Sequence, residues 1–270
     1  MKCSNRNSIF KRKREVINIL DRTGEVRENT YGTKMKIIAY RRHNDIDIEF
    51  LDDHHYIKEH QTYSNFNRGM VKNPYDRSVY GVGYVGEGNH IIIQNKKVSL
   101  SYEVWSEMLA RCYLESRKHL HPAYYGIVTV CDEWQCYHRF ADWYEEHTYE
   151  CEGRLHLDKY ILCPGNKIYS PETCILVPQR INMLFMNKPN KRGLPNGITK
   201  YVNGYLAKYN GQELGVFPTL EEAYREQTKK KKKAIVQTAN EYREVIPEKV
   251  YKALLAYEFN IENDKNYVAA

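Results

Sequence analysis

The chain has 270 residues, of which 42% are apolar, enough for packed cores in one large domain or two to three small ones. No apolar run approaches the roughly 18 residues of a membrane span, no signal-peptide stretch follows the basic N-terminus through Arg14, and seven cysteines are an odd number for a secreted disulfide framework. The net charge of +7 is local: Lys191–Lys233 holds ten Lys/Arg against four Asp/Glu, leaving 31 against 30 elsewhere, the footprint of one module that binds a phosphate backbone or of a solvated basic face.

A soluble, cytoplasmic protein with reduced thiols and no membrane partner is therefore expected. The 24 tyrosines against 7 phenylalanines suit thin, half-exposed cores, because a buried tyrosine ring still needs a partner for its hydroxyl.

In chain order, "MKIIAY" and "DIDIEF" alternate apolar and polar residues and predict strands in a β-rich block over 1–98. "GVGYVGEG" closes that block; four glycines in eight residues suit bulges and close backbone approach in a small twisted sheet or barrel. From Ser101 the period turns helical, with Val104, Trp105, Met108, Leu109, Cys112 and Tyr113 on one face. Trp134, Tyr137, Phe140, Ala141 and Tyr144 predict a second helix, on which Trp143 falls at the periphery. Between the two helices "HPAYYGIVTVCDEW" reads as a turn and a short strand, and "LHLDKYILCPGNKIYSPETC" follows with a strand and a Gly-Asn turn. Residues 99–188 then form one α+β unit. The breaker-rich "NKPNKRGLPNG" predicts a linker. Beyond it, in 193–270, "ITKY", "GYLAKY" and "ELGVF" predict three strands, the last two joined by Asn210-Gly211. Thr219 with Glu222 makes a capping box for a helix that includes Lys229 to Lys233, and Pro247 opens a last helix. The fold class is α+β and multidomain.

The segments "VWSEMLARCY", "YGIVTVCDEW", "FADW" and "LDKYILCPGNKIYSPETCILVPQRIN" resemble, in order and spacing, a family of bacteriophage HNH endonuclease-like proteins. "GITKYVNGYLAKYNGQELGVFPTLEEA" resembles the AP2-type DNA-binding domain that often follows such units, and "ANEYREVIPEKVYKALLAYE" and the N-terminal block look like the same phage architecture. The resemblance implies a phage-infected bacterial host, double-stranded DNA as partner, and a ββα hairpin holding one Mg²⁺ or Mn²⁺ on the scissile phosphate beside a histidine base.

Carried across, the pattern puts Asp158 at the first metal-ligand position and Lys159 where the catalytic histidine would stand. A lysine at its usual pKa is protonated and a poor base, and Tyr160 replaces a second carboxylate. His156 shares a strand face with Asp158 and offers itself as base or second ligand, or as a plain surface histidine. Asn166 and Glu172 fall at the loop and helix start of the pattern, and Cys174 where its last Asn or His often stands. The expectation is a DNA-binding protein with a degenerate nuclease centre; an active Mg²⁺-dependent nicking or homing endonuclease, and an anti-defence factor binding a host protein through the N-terminal block, are the alternatives. Cys131, Cys136, Cys151, Cys163 and Cys174 lack Cys-x-x-Cys spacing and read as small core residues rather than zinc ligands. "DDHHY" with His60 reads as an exposed turn or a metal site. In the AP2-like sheet, Lys200, Tyr201, Tyr205, Lys208 and Tyr209 are candidates for DNA contact, with adjacent residues on opposite faces. Lys229, Lys230, Lys231, Lys232 and Lys233 would add phosphate contacts or form a solubilising face.

Overall fold

A computed structural model describes residues 20–268; the basic stretch through Arg14 and Cys3 lie outside the described residues. The chain divides into two compact units, Met1–Asp76 and Arg77–Ala270. In the first, β1 (Val26–Glu28), β2 (Lys34–Arg42), β3 (Asp45–Phe50) and β4 (Ile57–Gln61) form an antiparallel sheet in that order, followed by the short α1 (Tyr63–Asn67). Strand alternation puts Met35 and Ile37 opposite Phe50 and Ile48. These four, with Ile46, Phe66 and Val71, are the buried core.

The second unit begins at Arg77, so 77–98 do not belong to the N-terminal block as expected. This stretch is largely irregular, with one small hairpin of β5 (Ile93–Gln94) and β6 (Lys97–Val98). Its Val79, Tyr80, Val82, Val85 and Ile92 pack against the central core. The glycines act here through close approach, not through a twisted sheet: a Cβ on Gly83 would run into Leu109 Cδ1 and lie 2.9 Å from the Trp105 ring. Gly83→Ala is therefore expected to destabilise this unit by about 1–3 kcal/mol through overpacking, read by urea unfolding followed by tryptophan fluorescence.

The central part carries α2 (Leu100–Tyr113), β7 (Thr129–Val130), α3 (Asp132–Gln135), α4 (Tyr137–His147), β8 (Leu155–Asp158), β9 (Ile168–Tyr169), β10 (Ile175–Pro178) and α5 (Gln179–Phe185). Ser99 caps α2, its side chain accepting from Tyr102 N–H. The helix expected over 134–144 is broken at Cys136, whose ψ of 123° is extended. The break is used: Tyr84 N–H donates to Gln135 O at 2.9 Å and Tyr137 N–H to Tyr84 O at 2.9 Å. Because two helices replace one, helical phase does not run from Trp134 to Trp143. Trp143 is accordingly buried rather than peripheral, its ring 4.6 Å from that of Trp134.

In the C-terminal part, β11 (Ile198–Tyr201), β12 (Gly204–Tyr209) and β13 (Gln212–Phe217) form an antiparallel sheet covered by α6 (Leu220–Glu241), and α7 (Glu248–Ala256) follows. Asn210 and Gly211 both have positive φ, 48° and 81°, as a two-residue hairpin turn requires. The Thr219 side chain accepts from Glu222 N–H at 3.2 Å. Ile198, Ala207 and Ala223 are the buried contacts between sheet and helix.

No linker separates this part from the central one. Ile235 and Ala239 of α6 and Val250 and Leu254 of α7 share a core with Ile161, Ile175, Val177 and Ile181. The breaker-rich stretch is itself tied down, with Asn190 N–H donating to Asn266 Oδ1 and Val268 N–H to Gly193 O. The β8–β10 pair therefore lies between two cores. Leu155, Leu157 and Leu176 face the tryptophan-rich one, while Ile175 and Val177 face the core shared with α6 and α7.

Candidate functional site

β8 pairs antiparallel with β10, with Asp158 opposite Ile175 and His156 opposite Val177, and α5 follows directly. This is a hairpin-then-helix unit at the place where the sequence resemblance puts a nuclease centre. Asp158, at the end of β8, is 6% exposed. Its Oδ1 accepts from the Tyr160 and Ile161 N–H groups, both at 2.7 Å. Burial raises its pKa, opposed by those two amides and by the charges of Lys159 and Lys265. The carboxylate thus folds back onto its own loop.

Lys159 is 1% exposed. Its Nζ donates to Asn166 O at 2.8 Å and lies 3.3, 5.2 and 5.6 Å from the ring centroids of Tyr160, Tyr124 and Tyr169. Burial, and then the Lys265 ammonium, lower its pKa to about 7. Its usual protonation is therefore not what disqualifies it as a base, as the sequence suggests; access is. No water-borne nucleophile reaches an amine sealed among tyrosine rings. Asn166 is the counterpart of this seal: its Nδ2 donates to Lys159 O and Ile168 O, and its Oδ1 accepts from Ile168 N–H. It closes the loop rather than facing a substrate.

His156 is half-buried on the face of β8 that carries Asp158. Its Nδ1 lies 3.4 Å from Asn182 Nδ2 on α5. Burial first, then Arg154 and Arg111, lower its pKa and keep the ring neutral. Asn182 escapes the sequence reading because the resemblance puts Glu172 at the helix start and Cys174 at the last polar position. Glu172 instead sits in the turn before β10, Cys174 is a buried core residue, and the helix begins at Gln179. The signal for Asn182 is "QRIN" directly after the apolar "ILVP" strand.

The residues here do not fit a hard divalent cation. Such an ion takes several oxygen ligands, and the site offers one imidazole and a carboxylate already held by two amides. Among the described residues, Asp45, Asp47 and His60 form the one group of three close enough to share an ion. There Arg41 pairs with Asp45 at 3.1 Å and with Asp47 at 2.5 Å, and His60 Nδ1 lies 2.8 Å from Asp45 Oδ1, so the carboxylates already have their cation. "DDHHY" is an exposed turn, with Asp52 Oδ1 accepting from His54 and His55 N–H.

On the C-terminal sheet the candidates separate. Lys200 pairs with Tyr205, and Tyr205 packs with the Ile198–Ala207–Ala223 core, so both lie on the side that α6 covers. Tyr209 lines a cleft with Tyr224 and Gln227 of α6. The open side keeps Tyr201, 56% exposed, and Lys208, whose Nζ is paired with Glu213 at 2.7 Å. The lysine run is helical but not uniformly free. Lys232 Nζ donates to the carbonyls of Leu255 at 2.7 Å and Tyr257 at 2.5 Å, satisfying the open end of α7. Lys231 is tucked over the Phe259 ring at 5.2 Å. These two are not available as phosphate contacts, whereas Lys230 and Lys233 are exposed and Lys229 pairs loosely with Glu226 at 3.6 Å. No helix among the described residues is long and apolar enough to cross a membrane. Comparison with family models, characterised proteins and solved structures finds no match for this chain.

Proposed function

We propose that the chain binds double-stranded DNA and that its HNH-like hairpin serves as a scaffold rather than a cutting centre. The observation that carries the second part is Lys159: it fills the position of the base, 1% exposed, with its ammonium spent on Asn166 O. Asp158 beside it is spent on two backbone amides. Support for binding comes from α6, where exposed Arg225, Lys229 and Lys233 recur every four residues, with Lys230 beside them. Tyr201 on the open side of the sheet adds an exposed ring.

Fluorescence anisotropy with a labelled duplex tests this. Affinity is expected to fall steeply between 50 and 200 mM salt, and the triple change Lys229→Ala, Lys230→Ala, Lys233→Ala to flatten the salt slope by about one for each phosphate no longer neutralised. Binding that ignores both salt and the triple change would refute it. Supercoiled plasmid with Mg²⁺ or Mn²⁺ is expected to stay intact. A second reading, cleavage with His156 taking the proton from water, is favoured by the neutral His156–Asn182 pair. Nicking abolished by His156→Ala would establish it in place of the first.

A further inference from the structure

His138, Asp142 and Glu145 fall at i, i+4 and i+7 of α4 and share one face. The stretch before β5 lays His90 onto that face. Its Nε2 lies 2.7 Å from Asp142 Oδ1 and its Nδ1 3.0 Å from Glu145 Oε1. A neutral imidazole donates from one nitrogen only and an ionised carboxylate only accepts, so both contacts are hydrogen bonds only when the ring is an imidazolium. The His90 side chain is 16% exposed, those of Asp142 and Glu145 61% and 65%, so the ring depends on the carboxylates while they keep their water. The bond to Asp142, and then that to Glu145, raise the pKa of His90 against its burial. The other titratable groups facing it are the His138 ring at 5.6 Å and the Tyr137 ring at 6.5 Å, both on α4. The Tyr137 hydroxyl is shared with Ser99 and Ser101 at the start of α2, and Glu87 is the nearest charge along the stretch of His90 itself.

What the ring holds down is a strap anchored at both ends. Val85 O accepts from His138 N–H at 3.3 Å, and Ile92 O accepts from Ser99 N–H at 2.8 Å. Between these anchors the backbone sits directly on α4 and the residue before it: a Cβ on Gly86 would run into Cys136 Sγ and one on Gly88 into the His138 ring. Cys136 and His138 are buried, and His138 Nδ1 has no hydrogen-bond partner. Closure therefore carries a cost, because lifting the strap would let water reach that nitrogen. We propose that the His90 imidazolium is a proton-operated latch that holds residues 86–91 over Cys136 and His138. Loss of the proton turns a lone pair toward one of the two carboxylates, and the cost at His138 is no longer offset. Because its pKa is raised in the closed form, His90 supports closure fully below about 6.5, the ordinary histidine value, and that support is lost as pH rises above it. His138 acts in the opposite sense. Burial, and then His90, lower its pKa, so the open form takes up its proton first and closure weakens as pH falls below about 6.5. The strap is tightest near the ordinary histidine pKa, and none of these residues is among those assigned to DNA.

Cys136 is a free, buried thiol, and its labelling by iodoacetamide in the full chain, read by peptide mass at pH 5.5, 6.5 and 8.5, tests the latch. Each rate is divided by that of Cys136 in the urea-unfolded chain at the same pH, which removes the thiol's own pH dependence. The parent is expected to label slowest at pH 6.5 and about threefold faster at pH 8.5, the size of two partly exposed ion-pair contacts. His90→Gln keeps a donor but carries no charge; it is expected to label at the faster rate at pH 6.5 already and to change no further by pH 8.5. Asp142→Asn keeps the contact without the charge and is expected to rise less than the parent. If His90→Gln fails to fold, Asp142→Asn, at a largely exposed position, carries the test. Lifting so short a strap exposes little surface, so 1 M urea should leave the rate unchanged, whereas access through global unfolding would be accelerated. Equal parental rates at pH 6.5 and 8.5, a rise retained in full by the variants, or a rate that climbs with urea overturns the latch.

Discussion

Lys159→Met is expected to be more stable than the parent at pH 7 by about 1–2 kcal/mol and to lose that advantage as the pH rises. The native amine has its pKa lowered to about 7 by burial and by Lys265, whereas an unfolded lysine titrates near 10.4. Between those values the unfolded chain holds a proton that the native chain does not. Parental stability should therefore rise with pH, by at most about 1.4 kcal/mol per unit. Below about pH 7 both forms are protonated and the slope vanishes, leaving the full cost of a buried charge. Methionine removes that cost, and replacing a buried charge by an apolar side chain is often stabilising by about 1–4 kcal/mol. The variant gives back part of the gain, because Asn166 O loses its donor and the Tyr160 ring its cation.

The measurement is urea unfolding at pH 7, 8 and 9. Tryptophan fluorescence reports the right unit, since Trp105, Trp134 and Trp143 are all in its core and are the chain's three tryptophans. The upper limit is set by Tyr149 and Tyr169, whose pKa values burial raises. They stay neutral in the native chain while unfolded tyrosine ionises, so stability falls again above about pH 10. A variant that is less stable than the parent by the same amount at all three pH values would show that Lys159 contributes by its contacts and not as a desolvated charge.

What the sequence makes legible here follows the range of the forces involved. Alternation in "MKIIAY" and "DIDIEF", the helical period from Ser101, the Thr219 cap and the Asn210-Gly211 turn are local, and β2, β3, α2, α6 and the β12–β13 hairpin stand where they are read. The break at Cys136 is not local: it exists because the backbone of Tyr84, some fifty residues earlier, pairs on both sides of it. The same holds for the missing linker, since the two expected domains are joined by long-range packing such as that of Ile235 and Leu254 with Ile175 and Val177. At the candidate site, residue identity gives position but not availability. Lys159 is read as an ordinary protonated lysine and is the most enclosed lysine of the centre. In "KKKKK", five identical side chains divide into a helix cap, a ring contact and three exposed cations, according to where α7 and Phe259 happen to lie.

Asp158 separates a structural carboxylate from a metal ligand by a pair of substitutions. Asp158→Ala removes the acceptor for two amides, those of Tyr160 and buried Ile161. It is expected to cost about 2–4 kcal/mol, since each unsatisfied buried donor costs about 1–3 kcal/mol. Asp158→Asn keeps an acceptor oxygen in place and removes a charge whose burial raises the carboxyl pKa. It should stay within about 1 kcal/mol of the parent at pH 7. The pH dependence has a defined sign: a raised native pKa means the native chain takes up the proton first, so parental stability gains a contribution as pH falls toward 3.8, and Asp158→Asn lacks it. A metal ligand predicts a different pattern. Mn²⁺ at one hundred times its dissociation constant would stabilise the parent by about 2.7 kcal/mol and leave Asp158→Asn unmoved, whereas a carboxylate committed to its own loop predicts equal midpoints with and without Mn²⁺. A manganese-dependent rise in the parent alone would return the hairpin to the nuclease reading, with His156 as its base.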